Sequence, residues 1–284
     1  MFAACLVVMH AKADAQSEVT QEPAGTIADP ARYQTFVPPL QFDSLQRGLG
    51  LRVYLPPGYA SGTRRYPVLY LFDGQNLFDA RTSYAGEWEV DEALDLEFRR
   101  SGFAAIVVGI DHGGERRINE LSAWPDPQFG AGDFDAVLAE LVHVLKPFVD
   151  ASYRTRSGRD ATLIGGSSLG GLAALYAVLQ RPQTFGRAMV FSPSLWISEQ
   201  AFWLARRAPG IEGSRVYLYA GTAEGDDMVD AARRMQGVLQ GRSGVAVRLG
   251  IGEGQGHNEA AWRVAWPDAL RWLFRIEEQA GEKD

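Results

Sequence analysis

Cysteine is almost missing from this chain: its 284 residues contain one, Cys5. A lone thiol near the N-terminus forms no intrachain disulfide, and it supplies neither a zinc ribbon nor a cysteine nucleophile to the body of the protein. Histidine is scarce as well. The four copies, His10, His112, His143 and His257, fall into no HExxH or other close ligand spacing, so no metal site is expected. Positive charge is in deficit, with 28 Lys and Arg against 35 Asp and Glu and a net charge of -7. Nucleic acid, whose binders concentrate basic residues, is therefore not an expected partner. Apolar runs are short. The run over 104–110 is far below the ~20 residues of a membrane span, so no stable insertion into a bilayer is expected. Repeats of fixed period, low-complexity tracts and an interior linker are also lacking.

What remains is a globular composition. With 46% of residues apolar and 22% charged, the chain can bury a large core and does not read as disordered. Its length exceeds the usual single domain, but α/β folds often reach this size as one unit. The apolar run over 2–9 and the small-x-small triplet Ala13-Asp14-Ala15 before Gln16 predict a signal peptide over 1–15, shortened at its basic end, since Lys12 follows the run and nothing basic precedes it. A loose leader is expected over 16–33 and a catalytic domain over 34–284. Removal of the first segment would make the protein periplasmic or secreted; its retention would leave the protein cytoplasmic.

Beyond the leader, strands are expected over 34–43, 50–55, 68–72, 104–110, 161–164, 187–191, 216–219 and 246–250. Several are unbroken apolar runs, the pattern of strands covered on both faces. Helices are expected over 87–100, 133–149, 169–180, 198–207, 226–239 and 259–276. The clearest is 133–149, where Phe134, Val137, Leu138, Leu141, Val142, Leu145 and Phe148 share one face. This alternation predicts a three-layer α/β sandwich: a mostly parallel, roughly eight-stranded sheet with helices on both faces and an antiparallel pair at one edge. In such sheets the chemistry lies in loops beyond the carboxyl ends of the strands.

One such loop carries Gly166-Ser167-Ser168-Leu169-Gly170, a G-x-S-x-G sequence between a short apolar strand and an Ala-rich helix. That setting gives a nucleophile elbow, in which a serine sits on a sharp turn and the following helix directs its free N–H groups at developing negative charge. Register selects Ser168, because Ser167 would require glycine at position 169. A serine hydroxyl needs a base. His10 lies in the leader, His143 falls off the apolar stripe of its helix, and His112 precedes the serine. His257, in a glycine-rich loop after the last strand, alone fits the order serine, acid, histidine that accompanies this elbow. The acid is expected after the strand over 216–219. Glu224 stands nearest the strand end, with Asp227 and then Asp226 as alternatives. The oxyanion donors are expected to be the main-chain N–H groups of Leu169 and of Gln75, the latter in the loop after the strand over 68–72.

These residues, read with Pro67 to Gly74, Ile164 to Gly171, the stretch Phe191-Ser192-Pro193-Ser194-Leu195-Trp196, Ala220 to Glu224 and Gly256-His257-Asn258, resemble the putative esterase family, esterase-D-like and enterochelin-esterase-like, within the α/β-hydrolases. The resemblance runs from Gln41 to Phe274. It implies an α/β-hydrolase fold and hydrolysis of carboxylic esters with no metal or cofactor, the partner being a small-molecule ester. Members include enterochelin-esterase-like enzymes, feruloyl and acetyl esterases of carbohydrates, and S-formylglutathione hydrolases. The chain departs from the last group in having no cysteine near the active-site loops.

For the substrate, Arg116 and Arg117 offer charge to a carboxylate or catecholate. Trp124, Trp196 and Trp262 offer walls for an aromatic or sugar group. The leading expectation is a serine carboxylesterase acting on siderophore or acylated-carbohydrate esters. The alternatives are a non-catalytic binding protein on the same fold, and an acyltransferase or peptidase with the same machinery.

Overall fold

The computed structural model describes residues 27–36, 40–43, 45, 47–125, 130 and 132–277. The predicted signal peptide and the leader as far as residue 26 lie outside the described residues. The last part of the leader, 27–33, is held against the domain: the Ala28 N–H donates to Asp91, and Arg32 pairs with Asp29 and Asp95.

Among the described residues ten strands are formed: β1 (Tyr33–Thr35), β2 (Leu40–Phe42), β3 (Arg47–Leu49), β4 (Leu51–Tyr54), β5 (Val68–Phe72), β6 (Ile106–Ile110), β7 (Thr162–Ser167), β8 (Arg187–Phe191), β9 (Arg215–Gly221) and β10 (Ala246–Gly252). The helices are α1 (Val90–Ser101), α2 (Arg117–Leu121), α3 (Phe134–Glu140), α4 (Lys146–Ser152), α5 (Leu169–Gln180), α6 (Gln200–Arg207), α7 (Asp226–Gln240) and α8 (Glu259–Phe274). Eight strands make one sheet in the order β1-β4-β6-β5-β7-β8-β9-β10. It is parallel from β6 to β10, with β4 and β1 antiparallel at one edge. The expected three-layer α/β architecture is the one observed.

Two expected elements are corrected. The single strand expected over 34–43 is two: β1 joins the main sheet, while β2 pairs with β3 in a separate hairpin. Pro38 and Pro39 stand between them in the sequence, and proline cannot donate to a ladder. The helix expected over 133–149 is α3 and α4 joined through a π-helical stretch at Leu141–Leu145. Pro147 stands two residues beyond it, in the first turn of α4; lacking an N–H and crowding the preceding turn, it disfavours continuous α geometry there.

The sheet's side chains alternate between two cores. Val68, Tyr70 and Phe72 of β5 pack with α2 to α7, through residues such as Leu121, Phe134, Leu145, Leu172, Phe202 and Met235. Leu69 and Leu71 point to the opposite face, which α1 and α8 cover with Val90, Leu94, Trp266 and Leu270. Each of these large apolar side chains contributes about 1.5–3 kcal/mol when fully buried. Strand order reverses at β5, since β6 lies on one side of it and β7 on the other. The crevice at such a reversal is where ligands bind in open α/β sheets.

Candidate active site

At that crevice the carboxyl ends of the strands surround a cleft of about 340 Å³, to which Asp73, Asn76, His112, Ser168, His257 and Glu259 all contribute. Ser168 stands between β7 and α5 with φ 57° and ψ -120°, a conformation that costs a non-glycine residue about 1–3 kcal/mol and persists only where the surroundings impose it. They do so through β8: the Ser168 N–H donates to Phe191 O at 2.9 Å, and Ser194 N–H donates to Ser168 O at 3.1 Å. The flanking glycines have no room for a side chain. A Cβ on Gly166 would meet the Gly170 carbonyl carbon at 2.8 Å, and one on Gly170 would meet Phe72 Cβ at 3.0 Å.

The second of those contacts also sets the start of α5 beside the end of β5, and so beside Gln75. Neither the Leu169 nor the Gln75 main-chain N–H has an acceptor among the described residues. The Gln75 side chain is engaged elsewhere, donating to His112 O and accepting from the His112 N–H, each at 3.2 Å.

His257 closes the loop after β10 and directly precedes Asn258, whose side chain accepts from the Ala261 N–H and caps α8. Of the three candidate acids, Glu224 is the one that reaches the imidazole: His257 Nδ1 lies 2.6 Å from Glu224 Oε2. Asp226 and Asp227 are exposed at the start of α7, where acids favour the helix dipole. The Glu224 side chain is 1% exposed. Its other oxygen accepts from Ser192 Oγ at 2.7 Å and the Gly221 N–H at 2.6 Å. Burial alone would raise the Glu224 pKa, but hydrogen bonds from His257, Ser192 and Gly221 outweigh it and hold the carboxyl below its ordinary value. A carboxylate accepts only, so His257 carries its proton on Nδ1 and leaves Nε2 as the basic nitrogen.

Ser192 lies in the stretch that carries the family resemblance, but nothing in the sequence assigns it a role at the site. Its hydroxyl also accepts from Trp262 Nε1 at 2.9 Å, and the Trp262 ring meets His257 edge-to-face at 5.1 Å. Trp262 in turn packs on the fully buried Trp88, 5.9 Å away. The acid and the imidazole thus rest on one hydrogen-bonded and aromatic support. Replacing Ser192 with Ala strands a buried indole N–H, at a cost of about 1–3 kcal/mol, and loosens Glu224. Thermal melting is expected to show a Tm lower by several degrees, and steady-state assays a kcat lower by about tenfold. An unchanged kcat would detach Ser192 from the acid.

Ser168 and His257 line the same cleft without hydrogen-bonding each other; the hydroxyl contacts Ser194 Oγ at 3.3 Å. Arg117 also reaches the cleft, but its guanidinium is bidentate to Asp73 at 2.7 Å on both arms. Arg116 is exposed and donates to Leu45 O. Trp124 is buried against Tyr176, ring centroids 5.2 Å apart. Trp196 is 63% exposed and lines a neighbouring depression with Phe202 and Glu224. Two cleft residues come from tertiary contacts that no motif announces. Glu259, raised in pKa by burial, accepts from Asn76 Nδ2 at 3.0 Å, and Asn76 Oδ1 accepts from the Tyr84 N–H at 3.1 Å.

The family model described as putative esterase matches residues 43–273. An uncharacterized protein of Bacillus subtilis, YbbA, is 26% identical over 241 residues, covering 78% of this chain and 91% of its own. The iron(III) salmochelin esterase of Escherichia coli is 26% identical over 240 residues, covering 78% of this chain and 54% of its own. This chain therefore spans about half the length of that relative. Among solved structures, the siderophore hydrolase EstB of Aspergillus nidulans superposes with a TM-score of 0.70 at 20% identity, covering 89% of this chain and all of that one. The fold is that of the α/β-hydrolases.

Proposed function

The chain belongs to the putative esterase family and so to the carboxylic ester hydrolases, and from that premise we propose that it is a serine carboxylesterase working through Ser168, His257 and Glu224. The observation that carries this reading is the 2.6 Å contact between Glu224 and His257, in a cleft shared with a serine of strained backbone. Rotation of the Ser168 side chain away from Ser194 turns its hydroxyl toward the imidazole, a contact that often tightens only when substrate is bound. His257 Nε2 then takes the hydroxyl proton as Oγ attacks the ester carbonyl, and Glu224 stabilises the imidazolium through Nδ1–H. The unpartnered N–H groups of Leu169 and Gln75 hold the oxyanion. The proton passes to the leaving alcohol, and water, activated by the same imidazole, releases the acid from the acyl-enzyme.

Siderophore esters are the first substrate class in this reading, supported by the names of the salmochelin esterase and of EstB, with acylated carbohydrates second. Residues such as Arg117 and Trp262, both on the cleft, would shape the acyl or alcohol site. Export belongs to the same reading and rests on the apolar and small-residue pattern over 2–15. Among the described residues no helix is long and apolar enough to cross a membrane.

The protein is expected to be labelled by a fluorophosphonate probe and to hydrolyse p-nitrophenyl acetate. Assayed side by side, catecholate-siderophore esters are expected to exceed acetylated and feruloylated sugars in kcat/KM by at least tenfold. A folded protein that neither takes the label nor turns over any ester would overturn the catalytic reading, and faster turnover of sugar esters would overturn the substrate ranking alone.

A further inference from the structure

At the start of α1, away from the catalytic serine, three acidic side chains converge. Glu87, Asp91 and Glu92 each offer a carboxylate oxygen, and these oxygens lie within 4.8 Å of one another. Glu87 is 3% exposed and Asp91 0%. Both oxygens of Glu87, Oδ1 of Asp91 and Oε2 of Glu92 are buried with no hydrogen-bond partner among the described residues. Among the described residues the Ala28 N–H donates to the other oxygen of Asp91 at 2.8 Å, and looser approaches come from the Ala80 main chain to Glu87 and between Asp91 and Glu92. Arg263 passes close by: its Nη1 pairs with Glu89 at 2.6 Å, its Nη2 donates to the main-chain oxygen of Glu87 at 2.7 Å, and its buried Nε has no partner among the described residues.

Buried carboxylates without hydrogen bonds or counter-charge are costly, and proteins hold such groups either by pairing them, by neutralising them or by binding a metal. The dipole of α1 favours acids in its first turn by about 0.3–1 kcal/mol each, well short of the several kcal/mol that each buried ion costs. Burial and the facing Glu92 and Glu89 push the Glu87 carboxyl up to about 7, and Asp91 and Glu92 are raised as well, by burial first.

We propose that Glu87, Asp91 and Glu92 form a structural binding site for a hard divalent cation of calcium type. An all-carboxylate donor set selects calcium, magnesium or manganese over zinc and copper. Burial favours calcium: it accepts flexible cages of protein oxygens, whereas magnesium usually keeps several waters, for which side chains 3% and 0% exposed leave little access. The absence of a metal expected from histidine and cysteine spacing does not bear on these acids, which fall at the start of the helix expected over 87–100. A cation here fastens the segment before α1 to Ala28 on one side and to the cleft on the other. Trp88 lies inside the site's span, its N–H donating to Asn76 O at 2.7 Å and its indole packed on Trp262.

The test uses the whole protein, treated with EDTA and then freed of chelator. Isothermal titration with calcium chloride is expected to show one site per chain, with magnesium chloride binding at least tenfold more weakly. Saturating calcium is expected to raise Tm by roughly 5 °C, in line with ligand linkage at a hundred times Kd. Glu87→Gln, which keeps shape and removes one charge, is expected to weaken calcium binding at least tenfold and to abolish most of the Tm rise. Its calcium-free Tm should be no lower than the parent's, which separates loss of a ligand from loss of the fold. A parent protein with no heat of binding and no Tm shift up to 10 mM calcium, whatever the behaviour of the variant, overturns the proposal in favour of carboxyls that share protons.

Discussion

Ser168→Ala is expected to lower kcat/KM for p-nitrophenyl acetate by about 10⁴-fold or more, with Tm within a degree or two of the parent. A factor of 10⁴ corresponds to about 5.5 kcal/mol of transition-state stabilisation, and loss of a nucleophile of this kind commonly removes at least that much. The fold should barely register the change, because the elbow is held by main-chain bonds to Phe191 and Ser194, and the hydroxyl makes a single weak contact at 3.3 Å. Fluorophosphonate labelling should vanish with the activity. Parent-level hydrolysis by the variant would show that Ser168 is not the nucleophile.

Glu224→Gln is expected to lower kcat by about 10³–10⁴-fold, the scale seen when a triad acid becomes an amide. The hydrogen bonds around Glu224 dictate why. Ser192 Oγ and the Gly221 N–H both donate to Oε1, so the oxygen of an amide must occupy that position. Its NH₂ is then turned toward His257 Nδ1. That nitrogen must accept, which moves the ring proton to Nε2 and removes the base from the side facing Ser168. Asp226→Asn and Asp227→Asn, on exposed acids, are expected to leave kcat within about twofold. A loss at either aspartate equal to that at Glu224 would reassign the acid.

How much of this could be read from the sequence depends on the range of the interactions involved. The sheet was legible because its central strands, such as Val68–Phe72 and Ile106–Ile110, are unbroken apolar runs buried on both faces. The edge was less so: Tyr33–Thr35 and Leu40–Phe42 carry weak patterns, and only the pairing partner decides which sheet each joins. At the site, local geometry announced Ser168, since the elbow is written into five consecutive residues. The carboxylate that meets His257 was legible only as one of three, because proximity to a strand end does not say which carboxylate turns inward. Side chains joined across long separations left no trace at all. Arg117 reads as a free cation until Asp73, 44 residues away, is found bonded to both of its arms. Glu259, bonded to Asn76 across 183 residues, belongs to the same class, as do the contacts of Ser192 with Glu224 and Trp262: three-dimensional company, rather than spacing along the chain, sets the role.

The placement of α8 carries a consequence for biosynthesis. This helix covers one side of the sheet with Trp262, Trp266, Leu270 and Leu273, and the loop ahead of it brings the imidazole. On a ribosome the nucleophile's bend emerges first and can fold with β7 and β8, while the sheet's other side still lacks this cover. Until α8 docks, a nascent chain has the Ser168 hydroxyl without His257 beside it, together with an uncovered apolar face. On the proposed assignment, docking of α8 therefore completes the pair and covers that face in one step.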